Sequence, residues 1–179
     1  MGGAGPIFNY NPRGFGVHFW VTRAGRLFVR FVRRSRAFTQ PLISRRLGRR
    51  SWSFVGATYD QRTGIAKLYV NEKPVVTKVI GRIRLSTNYP ARMGAKIGDR
   101  RYFRGWITCM QVYDVALSRR LIRIAKRLCF KGIELQMLYH LVSIHCFKCF
   151  LCICIFSHRL AVNRFPGGWI DRKKYTWQN

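Results

Sequence analysis

Acidic residues are nearly missing from this chain. Its 179 residues include 6 Asp+Glu against 34 Lys+Arg, a formal charge of +28. The first acid is Asp60, and the residues before it hold eleven arginines and no lysine. So few carboxylates make a calcium cage of several acidic ligands hard to build. They also leave no acidic pair on one strand of the kind glycoside hydrolysis requires. Glycine, at 16 residues, has no three-residue period, which excludes a collagen helix. The opening Met1-Gly2-Gly3-Ala4-Gly5-Pro6 has neither the basic start nor the apolar stretch of a secretory signal. Pro6 also stands where N-myristoylation takes Ser or Thr.

What is present suffices for a folded domain. Apolar residues make up 48% and aromatics 15%, more than a disordered chain carries. The charge points to polyanionic partners: sulfated glycans, nucleic acid, acidic lipid or acidic protein. Short β-rich runs alternate with turns from residue 7 to residue 113. Predicted strands cover residues 17–22, 27–32, 51–60, 65–71, 75–80, 92–98 and 104–114. Gly64 in Gln61-Arg62-Thr63-Gly64 suits a positive φ. Strands at this spacing without helices between them predict an antiparallel sandwich or barrel. In residues 65–70, Ile65, Lys67 and Tyr69 point to one side, and Ala66, Leu68 and Val70 to the other.

One helix is predicted after Ser118, a good N-cap, over residues 119–128. Leu121, Ile122, Ala125 and Leu128 share its apolar face, opposite Arg119, Arg120, Arg123, Lys126 and Arg127. Residues 133–156 are apolar and cysteine-rich. Cys146, Cys149, Cys152 and Cys154, with His145 and His158, invite a metal reading. Bulky residues between them, with no Gly, Asn or Asp to wrap a chain around an ion, speak against it, and no metal is assigned. A membrane span of about 20 residues fits the length, but Glu134, His140, His145 and Lys148 interrupt it. A non-domain tail is the other reading of this stretch.

Trp52-x-x-Val55-Gly56-Ala57-Thr58-Tyr59-Asp60, then Thr63-Gly64-x-Ala66-x-Leu68-Tyr69-Val70-Asn71, resembles the central hairpin of laminin G-like domains, which are jelly rolls of the concanavalin A-like lectin and glucanase group. Met93-Gly94-Ala95-Lys96-Ile97-Gly98 and the run from Tyr102-Phe103-Arg104-Gly105-Trp106 to Ala116-Leu117-Ser118 resemble the closing strand and turn. The resemblance covers residues 5–129 and implies an all-β, antiparallel jelly-roll sandwich with one short C-terminal helix. Residues 130–179 then form a non-domain tail of unclear status. It further implies that Cys109 and Cys129 are bonded, with a stabilisation of roughly 3 kcal/mol, in an oxidising, extracellular setting. Three departures stand out. The family has further strands before the point matching Gly5, so an N-terminally incomplete domain is expected. Asn71-Glu72 replaces Asn-Gly at the second hairpin turn. The extension follows where the domain normally closes.

The resemblance implies a non-catalytic recognition or adhesion module with glycans or extracellular proteins as ligands. Related modules bind heparin-like glycans through basic patches. The residues suited to this are Arg82 and Arg84, which alternate with Ile83 and Leu85, and Arg100, Arg101 and Arg104 before the closing strand. Arg33, Arg34 and Arg36 form another cluster, as do Arg45, Arg46, Arg49 and Arg50. The plain alternative is a solvated basic face with no dedicated partner. Some members of the group hold calcium, for which Asp99 and Asp60 are the weak candidates; no cofactor is otherwise expected. Two rival functions remain. One is a membrane-anchored protein held by residues 133–156. The other is a basic nucleic-acid-binding protein, for which no recognised motif appears.

Overall fold

Period-two alternation decides which side of each strand meets the core. In a computed structural model, residues 4–10, 16–35, 37–48, 51–87, 89–95, 100–130 and 150–156 are described. The strands are β1 (Gly5–Tyr10), β2 (Val17–Val21), β3 (Arg26–Phe31), β4 (Leu42–Arg46), β5 (Trp52–Asp60), β6 (Ile65–Val70), β7 (Lys73–Val79), β8 (Ala91–Met93) and β9 (Trp106–Tyr113). Helix α1 (Arg119–Phe130) and strand β10 (Phe150–Phe156) follow. Two five-stranded sheets form, ordered β4-β3-β2-β1-β8 and β7-β6-β5-β10-β9, antiparallel throughout. This is the expected antiparallel jelly-roll sandwich with one short helix.

The core lies between the sheets. Phe19, Val21, Leu27, Val29, Phe31 and Leu42 come from the first sheet; Val55, Ala57, Tyr59, Ala66 and Leu68 come from the second. The Phe31 and Tyr59 rings meet across the interface at 5.5 Å. Each fully buried large apolar side chain is worth about 2 kcal/mol, so this seam holds the layers together. β4 was not among the predicted strands, because Arg45 and Arg46 mask its apolar pattern. Leu42 and Ser44 are buried while Ile43 and Arg45 are exposed, and Ser44 Oγ accepts from the Leu27 amide at 3.0 Å. β8 is shorter than the predicted 92–98, and residues 96–99 lie outside the described set.

The hairpin turns obey backbone geometry. Gly64 has φ 72°, and a Cβ there would approach the Gly81 carbonyl carbon at 2.8 Å. Asn71 and Glu72 both have positive φ, 48° and 61°, the pair of values a type I′ turn needs. Asn71 Oδ1 accepts from the Phe54 amide at 3.0 Å, and Glu72 pairs with Lys126 Nζ at 2.7 Å. Those partners offset the strain of Glu72 at a position that favours glycine.

Helix α1 lies over the outer face of the second sheet. Ser118 Oγ accepts from the Leu121 amide, as an N-cap does. Ile122 and Ala125 are buried against Phe54, Tyr69 and Leu117, with Cys129 partly buried beside them. Leu121, by contrast, is 46% exposed, contrary to the apolar face predicted for it. The Cys109–Cys129 disulfide, with Cα atoms 5.4 Å apart, ties the end of the helix to β9. The buried seam therefore runs Ile122–Ala125–Cys129, and Leu121 lies to its side. Cys109 itself has φ 52°. It sits in a bulge, since Thr108 pairs with Cys154 and Gln111 with Cys152, leaving Cys109 and Met110 opposite one residue.

One stretch of the 130–179 extension, Phe150–Phe156, forms a strand. β10 lies between β5 and β9, paired with both along its length. Its sequence, Phe-Leu-Cys-Ile-Cys-Ile-Phe, is a continuous apolar run. Such a run suits a central strand with neighbours on both edges. Residues 131–149 and 157–179, which include Cys146, Cys149, His145, His158 and most of the 133–156 membrane candidate, lie outside the described residues. Among the described residues no helix is long and apolar enough to cross a membrane.

Ile153 pairs with Val55 in the middle of β10. Proline there removes a ladder donor and cannot be accommodated between two partner strands. Ile153→Pro is expected to cost about 3 kcal/mol in urea melts. An unchanged midpoint would show that β10 is not an interior strand.

Candidate functional site

The residues predicted to bind polyanions divide into two groups. The first follows β7. Ile83 and Leu85 are buried, and Arg82 and Arg84 are exposed, as the alternation requires. What fixes this segment is the buried Tyr59 hydroxyl. It accepts from the Ile83 amide at 2.7 Å and lies within donating distance of the Gly81 and Ile83 carbonyls, each at 3.0 Å. Burial holds the phenol above its ordinary 10.0, outweighing the pull of the Ile83 hydrogen bond. The hydroxyl thus stays protonated and able to donate at physiological pH.

The same segment meets the loop after β3. Arg34 N donates to the Arg84 carbonyl at 2.8 Å, Ser86 N donates to the Val32 carbonyl at 3.1 Å, and Arg33 bridges to Leu85. Two arginine clusters fifty residues apart in the chain are therefore neighbours in space. Arg33, Arg34, Arg82 and Arg84 all stand exposed around this junction.

The second group precedes β9. Arg100, Arg101 and Arg104 are exposed, whereas Phe103 between them packs into the core. The loop is held down at two points. Phe103 N donates to the Gly94 carbonyl at 2.9 Å. Gly5 lies so close that a Cβ would come within 2.6 Å of the Tyr102 and Phe103 backbone. Arg101 places its guanidinium 4.5 Å over the Trp20 ring. Trp20 Nε1 in turn donates to Asn9 Oδ1 at 2.8 Å, and Asn9 is buried. Neither Trp20 nor Asn9 was a predicted site residue. The signal was available for Trp20: in Val17-His18-Phe19-Trp20-Val21 it alternates with three core residues.

The calcium candidates gain nothing from the geometry. Asp99 lies outside the described residues. Asp60 Oδ1 accepts from the Arg62 amide at 2.9 Å and Oδ2 from the Thr63 hydroxyl at 3.0 Å. That is a side chain closing the β5–β6 turn. Among the described residues no group of three or more His, Cys, Asp or Glu could hold a metal ion. At the disulfide, Gln111 Nε2 approaches both sulfurs, at 3.4 and 3.5 Å, and Gln111 Oε1 accepts from Tyr113 at 2.9 Å. The exposed side of α1 adds Arg119, Arg120, Arg123 and Arg127 to the basic surface.

Two substitutions check this arrangement. Tyr59→Phe leaves the buried Ile83 amide without its acceptor, and is expected to cost about 2 kcal/mol while loosening the Arg82–Arg84 segment in hydrogen exchange. At Asp60, desolvation pulls the carboxyl pKa up. The Thr63 hydroxyl, the Arg62 amide and the Arg62 charge outweigh it and hold the group below its ordinary 3.8. A depressed pKa stabilises the fold above the unfolded value, and the benefit is lost as pH falls through the folded one. Asp60→Asn should therefore lower the melting temperature at pH 7, and the difference should shrink as the pH drops below about 4. A gap that is constant with pH would assign the effect to something other than the carboxylate.

A laminin G family model, described as the concanavalin A-like lectin/glucanases superfamily, matches residues 2–123. No curated protein and no solved structure matches the chain.

Proposed function

The chain belongs to the laminin G-like branch of the concanavalin A-like lectin/glucanase superfamily, and on that footing we propose that it is a non-catalytic extracellular recognition module that binds acidic, heparin-like glycans. The observation that carries this reading is the state of the arginines. Arg82, Arg84, Arg100 and Arg104 are exposed on segments whose backbone is tied to the core, and Arg101 is exposed while its guanidinium lies over Trp20. Two of the acids are used elsewhere: Asp60 closes its own turn and Glu72 pairs with Lys126. A fixed, exposed cationic surface favours an external polyanion, and arginine's planar fork matches sulfate and carboxylate. The Cys109–Cys129 bond supports an oxidising compartment.

Nucleic acid is the rival polyanion, and competition separates the two. The full chain would be titrated with a heparin oligosaccharide, then with duplex and single-stranded DNA of matched charge at matched salt. The expected result is preferential displacement by heparin, with affinity falling at least about tenfold between about 50 and 200 mM salt. Joint neutralisation of Arg82, Arg84, Arg100 and Arg104 should weaken binding further. No retention on heparin, or DNA competing equally well, would overturn the reading.

A further inference from the structure

The outer face of the second sheet gathers cysteines that lie far apart in the sequence. Partners in an antiparallel ladder stand on the same face of the sheet. Cys152 stands opposite Gly56 on β5 and Gln111 on β9, and Cys154 stands opposite Phe54 and Thr108. Phe54 belongs to the cluster under α1, with Ile122, Ala125 and Cys129. Gly56 pairs with Tyr69, a member of the same cluster. Cys152 and Cys154 therefore hold register positions on the face that α1 covers, where the Cys109–Cys129 disulfide also closes. Helix α1 lies close to β10. Leu151 and Ile153, by contrast, stand opposite the core residues Ala57 and Val55. Period-two alternation thus divides β10 into aliphatic positions on the inner face and cysteine positions on the outer one.

Two further observations bear on the disulfide itself. Gln111, the ladder partner of Cys152, is buried, and its Nε2 lies 3.4 Å from Cys109 Sγ and 3.5 Å from Cys129 Sγ. Tyr113 donates to Gln111 Oε1 at 2.9 Å, which turns the amide donors toward the sulfurs. A disulfide sulfur is a weak acceptor, and a thiolate is a charged and stronger one. The buried amide is therefore better matched to a sulfur that carries charge than to the bonded pair. The second observation is the backbone of Cys109. Its φ of 52° lies in the left-handed region, which a residue other than glycine enters at a cost.

We propose that this face carries an internal thiol–disulfide exchange site, in which Cys152 moves the disulfide of α1 from β9 to β10. The Cys152 thiolate attacks Cys129 Sγ. The Cys129–Cys152 bond forms as the Cys109–Cys129 bond breaks. Cys109 leaves as a thiolate and takes up the proton that Cys152 gave up. One thiol and one disulfide enter and one of each results, so the step needs no oxidant and no reductant. Gln111 Nε2 donates to the leaving sulfur as its charge develops. Freeing Cys109 also lets its backbone leave the left-handed region. β9 lies within the residues that match the family and β10 lies beyond them. The exchange therefore ties the C-terminal extension covalently to the domain through α1. It is independent of the glycan reading above.

The test incubates the full chain without added oxidant at about pH 8.5, near the ordinary thiol pKa. Samples are quenched in acid, alkylated and mapped by mass spectrometry without reduction. A peptide pair joined through Cys129 and Cys152 should accumulate while Cys109 becomes alkylated in equal amount. The total number of free thiols should stay constant, and the rate should not depend on protein concentration. At about pH 5.5 the exchange should slow at least about a hundredfold, because the thiolate is the attacking form. Cys152→Ser should abolish the new pair, and Cys154→Ser should retain it. Gln111→Leu should slow its appearance about tenfold while keeping the parent's pH profile and melting curve. If Cys152→Ser melts earlier than the parent, Cys152→Ala decides; if Gln111→Leu does, Gln111→Met decides. A parent chain that keeps only the Cys109–Cys129 bond throughout overturns the proposal. So does a new bond to Cys146, Cys149 or Cys154 in place of Cys152, or a rate that rises with protein concentration, since neither is exchange at this site.

Discussion

The architecture depends on the burial of β5. Trp52–Asp60 is hidden along nearly its whole length and has paired strands on both edges. Its inward residues Val55, Ala57 and Tyr59 enter the core between the sheets. Outward, Phe54 forms the floor on which α1 rests. At its end the Tyr59 hydroxyl clasps residues 81–83, and the Asp60 carboxylate closes the following turn. Both layers, the helix and one arginine segment thus take their position from a single strand. Its backbone polar groups leave water only because β6 and β10 satisfy them.

A charge of +28 opposes the compact state through self-repulsion. The fold answers by spreading arginines over turns, the helix surface and the outer sheet face, while the cluster between the sheets is built of apolar side chains. Where arginines do approach the body of the protein, rings or backbone hold them. Arg30 is clasped by two phenylalanines, Arg101 rests on Trp20, and the carbonyl of Arg84 receives the Arg34 amide. The surface therefore presents several of its cations in set positions.

The hairpin of β5 and β6 was legible because its alternation is clean and Gly64 marks the turn. The helix was legible from Ser118 and its basic stripe. β4 was not, since Arg45 and Arg46 read as a charge cluster although Leu42 and Ser44 face inward. Nor was β10. A continuous apolar run has the same appearance whether it spans a membrane or fills a sheet, and only partners on both edges distinguish the two. Leu121 was misassigned because periodicity defines a broad apolar arc, whereas the disulfide at Cys129 sets which part of the arc faces inward. The exposure of Arg82 and Arg84 followed from their alternation with Ile83 and Leu85. The contacts of Trp20 with Arg101 and Asn9 did not emerge, because nothing local relates positions so far apart in the chain.

By itself the sequence determined the class of fold, the principal turns, the excess of cations and the chemistry of partner that such an excess attracts. These are properties of composition and of spacing within one segment. The tertiary structure alone decided that Arg33 and Arg34 meet Arg84 and that Arg101 covers Trp20. Strand order and register create those meetings. Both arise from burying the two inner faces against each other, a condition imposed on the whole chain at once and on no segment alone.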